Sequence, residues 1–182
     1  GLGRWAVFLL PVLYGTLAVL GVHKLGELLY DRKVAAASAI VAAMLPPLLY
    51  YSAVNYTDML LFLFSAWSFY FYFEFLKSGK EGSILLACFL AGFASLTHYN
   101  GLAIPVVLAA HSLFERVGVK RAVLLLILPL AIASPWYARN LLAFGNPVFP
   151  VFDIGKYPNA HYQTAPFLDS AGSIATVQHW ES

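Results

Sequence analysis

Three groups of polar residues interrupt an otherwise apolar chain, and their side chains could bind or activate a substrate. They are Asn55-Tyr56-Thr57-Asp58, His98-Tyr99-Asn100 and Arg139. A carboxylate can hold a metal ion, a sugar hydroxyl or a catalytic water. An imidazole can coordinate a metal ion or donate a hydrogen bond, and a guanidinium is suited to binding a phosphate. The candidate substrate-binding residues are therefore Asp58, Tyr56, His98, Tyr99, Asn100 and Arg139.

Each charged candidate also has a purely structural interpretation. Thr57 is a good helix N-cap, and an acidic Asp58 in the first turn complements the helix dipole. A lone histidine at a helix junction, such as His98, often caps a helix or packs at an interface. Arg139 follows Trp136 and Tyr137 and could anchor the chain to lipid headgroups. The sequence leaves these alternatives open.

Asp58 is the only metal ligand that we predict, and a divalent metal ion is the only cofactor for which the sequence suggests a ligand. No HxxxH or HExxH spacing is present, and the single Cys88 excludes a disulfide framework and a cysteine-based metal site. P-loop, GxGxxG and serine-elbow patterns are also missing. Nucleotide-binding and serine-hydrolase chemistry therefore have no support.

Composition places these residues in a membrane. The 182 residues are 60% hydrophobic and 11% charged, which is more apolar surface than one soluble core can hide. We predict an all-α, polytopic bundle of about six transmembrane helices with an extracytoplasmic loop region. The apolar runs cover residues 5–30, 34–54, 59–76, 83–97, 101–114 and 122–138.

Two of the breaks between runs have a specific interpretation. Pro46-Pro47 should kink or end the second helix. The runs at 83–97 and 101–114 are short for full spans, which need about 20 residues. Their junction at His98 either reaches the membrane surface or forms a hairpin tip at depth in a protein-lined cavity.

Lysine and arginine predict the orientation. Most of them lie in three turns between apolar runs, at residues 31–33, 77–80 and 115–121. These basic turns contain Arg32, Lys33, Lys77, Lys80, Arg116, Lys120 and Arg121. The opposite side has only Arg4, Arg139 and Lys156. The positive-inside rule puts these turns in the cytoplasm and Asp58, His98 and Arg139 on the outer face. Residues 1–140 are then the membrane region and residues 141–182 an extracytoplasmic loop segment.

Five local patterns, in this order, resemble the GT-C fold membrane glycosyltransferases that use polyprenyl-phosphate sugars, the group of protein O-mannosyltransferases and aminoarabinose transferases. They are Arg4 opening a span that ends in Leu-Tyr-Asp-Arg-Lys, Pro46 followed by Tyr-Thr-Asp at 56–58, residues 91–99, residues 135–140 and residues 145–150. The likeness covers roughly residues 4 to 150.

The resemblance implies transfer of a sugar from a polyprenyl-phosphate carrier to an acceptor hydroxyl on the outer side of the membrane. An acceptor oxygen would displace the carrier at the anomeric carbon, with a carboxylate as general base. In the family that base precedes the span beginning near Arg4, so we expect it upstream of Gly1, in the remainder of a longer chain. Asp58 would be a second acidic group, with Arg139 and His98 toward the carrier phosphate.

One residue departs from the family pattern, and two other function classes stay open. The family often has Lys or Arg where His98 stands, which makes a phosphate role for His98 pH-dependent. A transporter or flippase module would use the breaks near Asn55 and His98 as discontinuous helices around a substrate. A non-catalytic subunit would only pack against a partner. The expected partners are the lipid-linked sugar, the bilayer and the rest of the chain, and not nucleic acid.

Overall fold

The computed structural model describes residues 2–53 and 57–148, with side chains from residue 9 to 51 and from 57 to 148. These residues form helices and connecting turns, and no strand occurs among them. The helices are α1 (Leu2–Leu29), α2 (Arg32–Met44), α3 (Pro46–Ala53), α4 (Thr57–Ser78), α5 (Glu81–Thr97), α6 (Ala103–Phe114) and α7 (Val119–Phe144), with a 3₁₀ turn at Tyr99–Leu102. The all-α prediction is confirmed.

The chain divides into two compact units, Gly1–Trp136 and Tyr137–Ser182, which we call unit 1 and unit 2. Three helices of the described residues are long and apolar enough to cross a membrane: Leu9–Leu29, Thr57–Ser78 and Val119–Phe144. Glu81–Thr97 and Tyr99–Phe114 are shorter apolar segments. Every predicted apolar run is therefore helical, although not every run has the length of a full span.

The second run is split, as its prolines predicted. Asp31 starts α2 by accepting hydrogen bonds at Oδ1 from the backbone N–H groups of Lys33 and Val34, both at 2.8 Å. At the other end Leu45 is extended, with φ −63° and ψ 122°, and Pro46 begins α3. The ring of a proline disfavours helical backbone at the preceding residue, so the break falls at Leu45.

Helix α4 is the central element of unit 1 and runs parallel to α1. Trp67 donates from Nε1 to the carbonyl of Leu17 at 2.9 Å, and Lys77 donates from Nζ to the carbonyl of Leu28. A Cβ on Gly21 would lie 3.0 Å from Nε1 of Trp67, so the small residue admits the indole. Helix α2 turns back on α1 where Gly26 meets Ala35.

Helix α5 packs antiparallel to α4 through small residues. Its buried face consists of Ser83, Ile84, Ala87, Cys88, Ala91, Gly92, Ala94 and Ser95. A Cβ on Gly92 would lie 2.9 Å from Ile132 Cβ, so α7 approaches closely there. Tyr72, Leu108 and Leu125 add large side chains from α4, α6 and α7 to this core.

The sixth helix is longer than predicted. We expected it to close at residue 138, near Pro135, but α7 continues through Pro135 to Phe144. Helices in membranes tolerate proline because nearby side chains adapt the freed backbone groups, and Ser134 Oγ here donates to the carbonyl of Ala131 at 2.8 Å. The helix ends where Gly145 adopts φ +69° and its N–H bonds the Leu141 carbonyl.

Side-chain contacts show that the three turns rich in Lys and Arg lie at the same end of unit 1. Lys77 joins the ends of α4 and α1, and Arg121 at the start of α7 pairs with Glu81 at the start of α5, with Nη2 to Oε1 at 2.6 Å. Arg32 Nε lies 3.3 Å from Oε1 of Glu27. The turns at residues 30–33, 77–80 and 115–121 therefore share this end, which we call the basic end.

Candidate functional site

Asp58 lies in the first turn of α4, at the end of unit 1 opposite the basic end. The helix begins at Thr57, so Thr57 is itself helical. The side chain of Asp58 is half-buried and makes no hydrogen bond or ion pair with any described residue. The next residue, Met59, is buried against Ala18 and Leu63 and fixes the start of the helix. Tyr56 lies outside the described residues.

His98 ends α5 and shapes the turn that follows. Its backbone is extended, with φ −156° and ψ 144°, and its N–H bonds the carbonyl of Ala94 at 3.2 Å. Nδ1 accepts from the N–H of Asn100 at 3.2 Å, and its ring centroid is 4.1 Å from that of Tyr99. The capping role is therefore present, and Nε2 is the ring nitrogen that a ligand can reach.

The turn after His98 is tight because of Gly101. This glycine is buried, and a Cβ there would overlap the carbonyl of Ala94 and lie 2.6 Å from the backbone nitrogen of Ser95. Tyr99 and Asn100, by contrast, are exposed. The close approach folds the 3₁₀ turn back on α5 and presents these two side chains outward.

The register of α4 against α5 relates Asp58 to His98. Three contacts pair Phe64 with Phe93 (ring centroids 5.6 Å apart), Ser68 with Ala87 and Glu74 with Ser83, the last two through hydrogen bonds of 2.9 and 2.8 Å. Extended toward the start of α4, this antiparallel register brings Asp58 level with His98 and Tyr99. Both polar breaks of unit 1 thus occur at one end and at one height.

The described residues give little basis for a metal at Asp58. No group of three or more His, Cys, Asp and Glu side chains comes together within them. A divalent cation with oxygen ligands needs six or more, of which a carboxylate supplies one or two. Within the described residues, Asp58 therefore lacks the further ligands that a divalent cation needs.

A cavity of about 310 Å³ lies beside the start of α4. It is lined by Val12, Gly15, Thr16, Val19, Ala42, Ala43, Leu48, Leu49 and Met59. Its single hydroxyl is occupied, because Thr16 Oγ1 donates to the carbonyl of Val12 at 2.8 Å. The cavity therefore offers an apolar surface, one residue away from Asp58.

In unit 2, Arg139 belongs to a turn organised by two buried asparagines. Arg139 Nη1 donates to Oδ1 of Asn140 at 3.3 Å, and Nδ2 of Asn140 donates to the carbonyl of Pro147 at 3.4 Å. Oδ1 of Asn146 accepts from the N–H of Val148 at 3.0 Å. Asn140 is only 2% exposed. These bonds join the pattern at 135–140 to the pattern at 145–150.

Two interhelical contacts nearer the basic end escaped the sequence analysis. Glu74 accepts a hydrogen bond from Ser83 Oγ at 2.8 Å. The hydroxyl of Tyr72 bonds Nδ1 of His111 at 2.9 Å. Spacing along one helix reveals neighbours on that helix only, so neither contact had a sequence signal.

Comparison with known proteins completes this evidence. No curated protein and no solved structure matches the chain. A family model does match, and it covers residues 1–138, which include α1 to α6, both polar breaks of unit 1 and most of α7. The chain therefore belongs to the dolichyl-phosphate-mannose-protein mannosyltransferase family, a family of membrane glycosyltransferases of the GT-C type that use polyprenyl-phosphate sugars.

Proposed function

We propose that the chain forms part of a glycosyltransferase whose active face is extracytoplasmic and which moves a sugar from a polyprenyl-phosphate carrier to an acceptor hydroxyl. The observation that carries this proposal is the polarity of unit 1. Its basic turns gather at one end, whereas Asp58 and His98 lie level at the other. Cytoplasmic loops of membrane proteins are enriched in Lys and Arg, which favours the Asp58 end as the outer one.

Asp58 is proposed to bind the acceptor or the sugar. A half-buried carboxylate in the first turn of α4, with no protein partner among the described residues, can accept hydrogen bonds from sugar hydroxyls. The general base is expected in the outer loop that precedes the span beginning near Arg4. Asp58 is then a positioning group for the reacting sugar, and its charge is the feature that matters.

His98 and Arg139 are each proposed, separately and on the basis of their own chemistry, as groups that can bind a phosphate. His98 holds its turn through Nδ1, so Nε2 can donate to a phosphate oxygen without loss of the cap. Arg139, whose Nη1 donates to Oδ1 of Asn140, carries the planar guanidinium that suits a phosphate. Tyr99 and Asn100, exposed beside His98, are proposed to contact the sugar.

The cavity beside Met59 is proposed to hold the first isoprene units of the carrier. It is apolar, is lined in part by α2 and α3, and includes Met59, the neighbour of Asp58 at the start of α4. A lipid chain held there would keep its phosphate near the ends of the helices. This arrangement supports a lipid-linked donor rather than a soluble nucleotide sugar.

The first experiment tests catalysis. The complete protein, purified and reconstituted, is incubated with a panel of polyprenyl-phosphate sugars, and release of the polyprenyl phosphate is measured. We expect turnover with at least one sugar. Movement of an intact lipid-linked sugar between leaflets, without release of the carrier, would instead support the transporter alternative.

The second experiment tests the orientation. Cys88 is the chain's one cysteine and is buried, so Cys88→Ala provides a background for single reporters. Asn100→Cys reports the Asp58 end, and Gly82→Cys, where a Cβ meets no atom within 4 Å, reports the basic end. An impermeant maleimide added to intact cells should label only the first. Labelling of Gly82→Cys alone would reverse the topology.

A further inference from the structure

The basic end of unit 1 contains more cations than its carboxylates can neutralise. Every acidic side chain there already has a partner: Glu27 pairs with Lys24 and Arg32, Asp31 caps α2, Glu74 accepts from Ser83, Glu81 pairs with Arg121 and Glu115 lies 4.0 Å from His111. Five basic side chains make no ion pair with a described residue: Lys33, Lys77, Lys80, Arg116 and Lys120. This end therefore has a local positive excess.

Large apolar side chains are exposed beside these cations. Phe114 is 85% exposed and lies two residues before Arg116, and Val119 is 69% exposed and precedes Lys120. An exposed ring next to a cation at the end of a membrane helix is the arrangement found at headgroup depth, where the ring meets acyl chains and the cation meets phosphates. A site for a soluble anion would gain nothing from Phe114.

Arg116 occupies a backbone position that glycine would normally fill. Its φ is +54°, and the turn around it has two reverse hydrogen bonds, from Val117 N–H to the Ser112 carbonyl at 3.0 Å and from Arg116 N–H to the Leu113 carbonyl at 3.1 Å. This is the Schellman arrangement, in which the left-handed residue is usually glycine. An arginine there is strained, and the turn itself does not require its side chain.

Arg121 holds this turn against the neighbouring helices. Its Nη1 donates to the carbonyl of Val117 at 3.2 Å, Nη2 meets Glu81, and its Cζ lies 5.3 Å from the ring centroid of Phe75. Lys120 and Lys80 adjoin the two members of the Arg121–Glu81 pair in the sequence. Cations from the α4–α5 and α6–α7 turns are thus presented together from a fixed base.

We propose that Lys80, Arg116 and Lys120, with Phe114 at acyl depth, form a binding site for anionic phospholipid headgroups in the adjoining leaflet. Three cations around one phosphodiester account for the unneutralised charge, for the exposed ring and for an arginine at a glycine position. The site is at the opposite end of unit 1 from Asp58 and does not depend on the proposed transferase activity.

The test uses the complete protein in nanodiscs of phosphatidylcholine, with and without phosphatidylglycerol. Thermal unfolding is followed, and bound lipid is counted by native mass spectrometry. Phosphatidylglycerol should raise the unfolding midpoint of the parent, and the triple variant Lys80→Gln, Arg116→Gly, Lys120→Gln should lose that increase. Each cation removed should weaken phosphatidylglycerol binding about fivefold. The charge-preserving variant Lys80→Arg, Arg116→Lys, Lys120→Arg should behave like the parent.

Arg116→Gly alone separates a lipid ligand from a structural arginine. It should raise the midpoint in pure phosphatidylcholine, because glycine accepts the left-handed backbone, and yet reduce the increase that phosphatidylglycerol gives. A triple variant that retains the full increase would overturn the proposal. So would an equal increase in phosphatidylcholine discs on addition of inorganic phosphate, which would indicate a site for soluble anions.

Discussion

Gly101 packs directly on the carbonyl group of Ala94, so closely that a β-carbon at position 101 would overlap the carbonyl oxygen. The obstruction is backbone and cannot rotate away. We expect Gly101→Ala to destabilise the protein by about 3 kcal/mol, since it forces α5 and the 3₁₀ turn apart. His98, Tyr99 and Asn100 would move with the turn, so transfer should fall as well. Unfolding in detergent and initial transfer rates measure the two effects.

Gly82→Ala is the matched control for that substitution. Gly82 lies in the first turn of α5, and a Cβ there meets no atom within 4 Å. Alanine should raise stability by up to about 1 kcal/mol, because glycine is the poorer helix former. Equal destabilisation by both substitutions would show that the packing of Gly101 on Ala94 is not the cause.

Asp58→Asn should abolish transfer and leave folding intact. Asparagine has nearly the same shape, so the substitution removes the charge that is proposed to position the sugar. The loss of the favourable interaction with the helix dipole should cost less than about 1 kcal/mol. Transfer rates and the unfolding midpoint of the complete protein are compared with those of the parent. Unchanged turnover would return Asp58 to a helix-terminal role alone.

Asp31→Ala should reduce stability and leave transfer unchanged, which is the reverse of the effect expected for Asp58→Asn. The Oδ1 of Asp31 accepts two backbone N–H bonds at the start of α2, at the basic end. Its loss should cost about 1 kcal/mol, as for other N-caps, without changing the transfer rate per folded molecule. The pair of variants thus distinguishes a capping aspartate from a substrate-binding one.

The helices and their breaks could be predicted because local sequence determines them. Apolar runs predicted every helix, and the extended backbone before Pro46 follows from the ring of that proline alone. The predicted end of the sixth helix at residue 138 was wrong, because the apolar run ends there but the helix does not. The chain continues through good helix formers until Gly145, whose left-handed backbone provides the cap.

The site could be predicted only in outline. The alternation of spans predicts that Asp58 and His98 share one end, and the register of α4 and α5 agrees. The hydrogen bond from the Asn100 N–H to Nδ1 depends on the backbone angles of His98, and the bond between Asn140 and Pro147 depends on a turn seven residues long. Contacts between residues of different helices, such as that between Tyr72 and His111, can be identified only from the packed structure.

Substitutions of His98 separate its capping role from its proposed phosphate role. His98→Asn keeps an acceptor for the Asn100 N–H, so the turn should persist, but the ring donor is lost and the KM for the lipid-linked donor should rise about tenfold. His98→Lys places a fixed cation there and should lower this KM at neutral pH. Equal KM values for all three proteins would leave His98 with the cap alone.

Ala43→Phe should obstruct the apolar cavity beside Met59. Ala43 lines the cavity, and the added ring would occupy much of its volume of about 310 Å³. The KM for long-chain polyprenyl donors should rise, whereas that for a short-chain analogue should change little. Ala36→Phe, an exposed position of α2 that does not line the cavity, is the control. An identical rise for both donors would contradict binding of the lipid chain in this cavity.

Tyr72→Phe should lower stability without lowering transfer. The hydroxyl of Tyr72, which is 1% exposed, bonds Nδ1 of His111, while Nε2 of the same ring lies 4.0 Å from Glu115. Its removal takes this partner from Nδ1 of His111, whose side chain is 38% exposed, at a cost of about 1 kcal/mol. Tyr70→Phe, whose ring packs on Trp67 and Phe71, should change stability by less than about 0.5 kcal/mol. Because Tyr72 lies nearer the basic end than Asp58, a selective fall in transfer rate for Tyr72→Phe would show that the two ends of the bundle are coupled.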